Sequence, residues 1–180
     1  MARYICLLRG INVGGYKTVA MADLRALLTK MGFEDVQTVL QSGNVVLSAP
    51  SKSARALESQ LEAAVQKALK LEIDFHVRTA DEWRKVIDAN PFGAEAKMDP
   101  ARLVLTCYKA PLDPAKVKSV QAAITGRERL RADGRHLYMT FPDGYGNSKA
   151  AVLVGKAFGA GTARNWNTVL RLGALSRPTR

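Results

Sequence analysis

Strand-like and helix-like stretches follow one another along this chain in one order, and the order occurs twice. ARYICLLR (2–9) has the apolar content of a strand. Met21, Leu24, Leu27, Leu28 and Met31 recur at helical spacing, with Gly32 placed to end the helix. VQTVLQ (36–41) and NVVLS (44–48) read as strands joined by a tight turn at Ser42-Gly43, which sets Gln41 opposite Asn44. Pro50-Ser51 opens a helix with Leu57, Leu61, Ala64, Val65 and Ala68 on one face, and IDFHVR (73–78) alternates as a further strand. Thr79-Ala80-Asp81-Glu82 has the form of a capping box and starts a connecting helix that stops before Asn90-Pro91. The pattern then returns. RLVLTCYK (102–109) is a strand, Asp113-Pro114 starts a helix, and RERLRA and RHLYMTF form a hairpin around Asp133-Gly134. Helices are expected near 148–159 and 165–175, with any last strand between them short. The expectation is an α+β protein of two tandem ferredoxin-like (βαββαβ) units with antiparallel sheets and a C-terminal helix, divided as 1–95 and 96–180. Each unit alone has a small core.

Charge separates the halves. Residues 1–95 carry 12 Lys/Arg against 11 Asp/Glu, a net +1, whereas residues 96–180 carry 15 against 5, a net +10. An excess of that size in one half points to a polyanionic partner, nucleic acid or a phosphorylated small molecule, against the alternative of a solvated basic surface. The longest apolar runs fall far short of a membrane span, and no basic segment followed by an apolar core opens the chain. A cytoplasmic protein without a membrane partner is expected. Cys6 and Cys107 lie inside apolar strands and read as buried thiols. His76 and His136 stand 60 positions apart with no ligand spacing around them, so neither a metal nor a cofactor is called for.

Three groups of residues are candidates for binding. The first is LLRGINVGGYKT (7–18). Gly10 and Gly15 have the separation of a Walker-type phosphate loop, but Tyr16 displaces Lys17-Thr18 by one position and the helix begins only at Met21, so a nucleotide triphosphatase is excluded. An antiparallel βαββαβ sheet would bring this loop to the turn between its second and third strands. Arg9, Gly10, Asn12, Gly14 and Gly15 would then converge with Gln41, Ser42, Gly43 and Asn44, either as a ligand site or as side chains satisfying loop backbone. The second group is PDGYGNSKAA (142–151), where Asn147, Ser148 and Lys149 follow a glycine-rich loop at a helix start, as an anion site would need or as a simple N-cap. Arg164 and Asn165 begin the last helix and join this group, while Trp166 has core spacing with Val169 and Leu170. The third is a basic strand face. Arg127, Arg129 and Arg131 share one side at period two, with Arg129 expected opposite Tyr138 and Arg131 opposite His136, a basic and aromatic surface able to hold single-stranded nucleic acid if it is open.

LLRGINVGG followed by Met21 and Leu24, GFEDVQTVLQSGNVV (32–46) and TARNWNTVLRL (162–172) resemble a bacterial family known as domain of unknown function 1697. Asn90-Pro91-Phe92 and Ser148-Lys149 are similar to family features as well, and Ala163 departs from a position where the family usually has threonine. The resemblance spans almost the whole chain. It implies no defined activity, but it adds weight to a ligand at the loops 9–15 and 41–44.

No nucleophile–base pair or carboxylate pair is legible, although Lys149 or Tyr145 could do acid–base work. Three readings follow. The leading one is a non-catalytic polyanion-binding protein acting through the second half. The others are a small-molecule binder or enzyme at the loops 9–15 and 41–44, and a structural or interaction module.

Overall fold

The computed structural model describes residues 1–15 and 17–177. They fall into two compact units, Met1–Lys85 with the segment from Arg171, and Val86–Leu170.

The first unit runs β1 (Ala2–Leu8), α1 (Met21–Lys30), β2 (Glu34–Val39), β3 (Asn44–Ala49), α2 (Ala54–Leu69) and β4 (Phe75–Thr79). Its sheet has the order β2-β3-β1-β4 with every neighbour antiparallel. Alternation sends Tyr4, Cys6, Leu8, Val45, Leu47, Phe75 and Val77 to one face, where Leu24 and Leu28 of α1 and Leu57, Leu61 and Val65 of α2 complete the core. Ile5, Leu7 and Val46 on the opposite face are also fully buried. Helix α2 begins three residues later than Ser51 suggests. Ser53 is its cap, accepting from the Ala56 amide at 3.2 Å. The reason lies in Tyr4. Its hydroxyl donates to the Lys52 carbonyl (2.8 Å) and accepts from the Lys52 amide (2.9 Å), which holds that segment outside the helix.

Strand β4 is a sheet edge, and its outward amides need acceptors. Two carboxylates one turn apart on α2 supply them. Glu62 accepts from the Phe75 amide (2.9 Å) and Glu58 from the Val77 amide (2.8 Å). Glu58 is buried, and the fully buried Arg78 guanidinium lies 4.0 Å from its carboxylate.

From α3 (Ala80–Asp88) the chain passes through α4 (Gly93–Met98) and a 3-10 turn at Pro100–Arg102 into β5 (Leu103–Cys107), α5 (Pro114–Ala123), β6 (Arg129–Asp133), β7 (His136–Thr140), α6 (Lys149–Phe158), β8 (Thr162–Asn165) and α7 (Trp166–Leu175). The capping box forms as read: Thr79 N donates to Glu82 (2.8 Å) and Glu82 N to the Thr79 hydroxyl (3.1 Å). Asp113 caps α5 through the Ala115 amide. The second sheet has the order β6-β7-β5-β8, again antiparallel throughout, so the short last strand exists as β8 beside β5. Val104, Leu130, Leu137, Met139 and Phe141 pack under Val117 and Val120 of α5 and Ala150 and Val154 of α6. Both units are ferredoxin-like, as the order of elements requires.

Two registers differ from expectation. In the first hairpin Val39 pairs with Asn44, so the connection is the four-residue loop 40–43 and Gln41 is not opposite Asn44. Leu40 adopts φ +60 and Gly43 φ +78, a double left-handed turn that the simpler two-residue count does not provide. In the second hairpin Asp133 pairs with His136, Arg131 with Tyr138 and Arg129 with Thr140. Gly134 (φ +54) takes the first central position of the turn, ahead of Arg135, and every expected pair moves by two.

Replacing Glu58 by Ala should orphan the Val77 amide and leave Arg78 without its carboxylate. A loss of about 1–3 kcal/mol is expected, read as a lower urea midpoint at unchanged slope. Glu62→Ala, at a partly exposed site, should cost less.

Candidate functional site

The loops at 9–15 and 41–44 do meet at one sheet edge. Leu8 N donates to Gly43 O (2.8 Å), Arg9 N to Asp74 O (3.0 Å), and the Asn12 amide nitrogen to Gln41 O (2.7 Å) and Val19 O (3.0 Å). Asn12 also accepts from Val19 N at 2.8 Å while holding φ +54. Buried Asn44 donates to Val39 O (2.8 Å) and the Ser42 hydroxyl (3.1 Å), closing the hairpin loop. Gly43 is fixed by space as well as φ: a Cβ there would lie 2.7 Å from Ile11 Cδ1 and 2.8 Å from Leu8 Cβ. Gly10, Gly14, Gly15 and Gln41 are exposed, and the half-exposed Arg9 faces Asp74 at 3.4 Å. Asn12 and Asn44 thus spend their polar atoms on loop backbone.

The basic strand is not an aromatic platform. Tyr138 is fully buried, donates to Val86 O (2.7 Å) and packs at a tilt on Trp166. Burial raises its hydroxyl pKa. His136 is buried too. The three arginines are exposed but engaged. Arg127 pairs with Asp143 (2.8 Å), Arg129 pairs with Glu95 and stacks on Phe92 at 5.2 Å, and Arg131 donates to Leu130 O (2.9 Å). The turn around Phe92, the end of α3 and the start of α7 use the face that single-stranded nucleic acid would need.

A groove of about 400 Å³ opens at the other edge of the second sheet. One wall is the end of α5 and the segment 124–128, the other is 143–150 at the start of α6, and Arg127, Glu128, Asp143, Asn147, Ser148 and Lys149 line it. Antiparallel pairing explains the meeting. The residues before β6 and after β7 share an edge, and α6 starts from that edge. Ser148 caps α6, accepting from the Ala151 amide (3.2 Å) and donating to Glu128 (2.5 Å). That hydroxyl holds the Glu128 carboxyl below its ordinary value. Arg127–Asp143 and Ser148–Glu128 both cross the groove. Lys149 is exposed with no ion pair, and the Lys149 and Ala150 amides have no acceptor among the described residues. Glu128 and Asp143 were not among the expected residues. Their signal was their placement just outside the hairpin ends, on the same edge as Ser148.

Arg164 and Asn165 do not line this groove. Arg164 donates to the Thr162 hydroxyl and the Ala163 carbonyl, both at 2.8 Å, and burial lowers its pKa to about 10, leaving it charged at neutral pH. Asn165 caps α7 through the Thr168 amide (3.0 Å). Cys6 is buried, and burial raises its thiol pKa. Cys107 is buried as well and is in no disulfide among the described residues. Among the described residues, no group of three His, Cys, Asp or Glu could hold a metal ion, and no helix is long and apolar enough to cross a membrane.

Asn12→Ala should destabilise the fold by about 1 kcal/mol, because it leaves the part-buried Val19 amide and carbonyl without their partner, and a denaturant titration reads this directly. Glu128 gives a pH signature. A carboxyl with a lowered folded-state pKa contributes stability above its ordinary value near 4.5 and loses it as pH falls through the lowered value. The melting-temperature advantage of wild type over Glu128→Gln should therefore be full near neutral pH and vanish in acid.

The fold is that of a solved structure, a conserved bacterial protein from Streptococcus pneumoniae. It superposes with a TM-score of 0.73 at 24% identity over 98% of this chain and 99% of that one. None of the curated proteins compared with the chain matches it. The family model described as protein of unknown function, DUF1697, matches residues 1–138. With more than half its length matched, this chain belongs to the DUF1697 family.

Proposed function

We propose that the protein is a non-catalytic binder of a phosphorylated small molecule, held in the groove at the start of α6. The observation that carries this reading is the unpaired Lys149 ammonium beside two amides without acceptors, at the mouth of a groove of about 400 Å³. That volume suits a small ligand. Helix-start amides and the positive end of the helix dipole favour an anion, and a lysine there adds a point charge. Arg127 is a second cation on the opposite wall. Its bridge to Asp143 joins two side chains that are each about two-thirds or more exposed, 73% and 68%, and such a bridge is worth so little that a ligand phosphate can compete for the guanidinium.

The alternative at loops 9–15 and 41–44 has less to support it, because Asn12 and Asn44 already bond to backbone.

A thermal-shift screen of inorganic phosphate, sugar phosphates and nucleoside phosphates tests the reading. At least one should raise the melting temperature. Lys149→Gln should weaken that compound about 10- to 100-fold, the value of one charge-assisted hydrogen bond, without lowering the melting temperature of the free protein. A screen in which no phosphorylated compound shifts the melt, or a shift untouched by Lys149→Gln, would remove the site.

A further inference from the structure

The two helical layers have the same plan and different charge balance. Helices α1 and α2 carry Arg25, Lys30, Arg55 and Lys67 against Asp23, Glu58 and Glu62. Helices α5 and α6 carry Lys116, Lys118, Lys149 and Lys156 and no acidic residue. All four lysines are exposed, and none forms an ion pair among the described residues. Lys149, Val152 and Lys156 recur at i, i+3 and i+7 and stand on one exposed side of α6. Lys116 at the start of α5 lies 6.0 Å over the Phe158 ring at the end of α6. The end of α5 meets the start of α6 across the groove, so the helices run in opposite directions, with Lys149 at the start of α6 and Lys116 reaching its end.

We infer that this α5–α6 surface docks on the phosphate backbone of double-stranded nucleic acid. Charge complementarity selects a polyanion. Arg129 and Arg131 of β6 do not contribute, because Leu130 packs toward α5 and α6 and alternation turns its two neighbours to the other face of the sheet. A duplex fits better than a single strand. Holding a single strand takes successive aromatic platforms, and here Tyr138 is buried, the half-buried Phe158 ring lies under Lys116, and the exposed Tyr145 stands in the loop before α6 rather than on either helix. A duplex keeps its bases stacked and presents phosphates alone. Lysine ammoniums are point charges without the fork that reads base edges, so the docking is independent of sequence. A membrane surface fits poorly, because Val152 is the lone exposed large apolar residue of α5 and α6.

The test is a titration of a labelled random-sequence duplex against the full chain at several salt concentrations. Wild type should bind at low salt with a steep dependence of log affinity on log salt. The triple variant Lys116→Gln, Lys118→Gln and Lys156→Gln should flatten that slope by about 2.7, close to 0.9 per neutralised phosphate. Lys118→Gln alone should flatten it by about 0.9 and guards against a misfolded triple variant. Because Lys149 is left in place, the triple variant should keep any thermal shift from a phosphorylated small molecule, so the groove and this surface fail separately. The inference is overturned if wild type does not bind duplex at low salt, if both variants keep the wild-type slope, if a single strand binds more tightly than the duplex, or if anionic vesicles bind where the duplex does not.

Discussion

Antiparallel pairing of every strand with its neighbours is the constraint on which the rest of this structure depends. It sends the chain leaving the first strand, the turn of the central hairpin and the start of the last strand to one edge of each sheet. The two units solve that edge alike. Leu8 N bonds to Gly43 O in the first, and Tyr108 N bonds to Arg135 O in the second. Backbone brought together this closely must be satisfied. In the first unit Asn12 and Asn44 do this with side-chain amides, and the missing Cβ of Gly43 makes room for Ile11. In the glycine-rich opening itself the cause is backbone conformation: Gly10, Gly14 and Gly15 stand at φ +65, +60 and +78.

The same pairing builds the groove at the opposite edge of the second sheet. Two loops that flank one hairpin have to pass each other, and they carry charges of both signs. Arg127 finds Asp143 and Glu128 finds Ser148, so the groove walls are tied to each other. Lys149 is left over, and with it the rest of the lysines on the two helices above the sheet. Net charge alone does not distinguish these populations. Arginines, with planar forks, are drawn into pairs and stacks. The compact and strongly hydrated ammonium groups stay in water. A count of basic residues therefore overstates how many stand without a partner.

The carboxylates of α2 show a further economy. Glu58 and Glu62 stand one turn apart, so both face the unprotected edge of β4 and quench two of its amides. In the sequence they resemble any exposed helix charge. Only the position of β4 at the end of the strand order makes them edge caps.

Local pattern by itself determined the succession of elements, because hydrophobic period and turn chemistry are properties of short segments. The capping box at Thr79, the Asp113 cap and the core role of Trp166 were readable for that reason, and so was the two-unit ferredoxin-like plan. The meeting of the loops around Asn12 and Gln41 followed from topology alone. Register, burial and pairing did not. A turn can take two residues or four, or begin one residue later, without any change in the sequence around it; the first choice moved Asn44 and the second moved every partner of the β6 arginines. Tyr138 looks like a stacking surface until Val86 and Trp166 are placed against it. Whether a cation is free depends on which carboxylate the fold carries to within hydrogen-bonding distance. That is a long-range property, and it is why tertiary structure alone separated Arg127 and Arg129, which meet Asp143 and Glu95, from the lysines of α5 and α6.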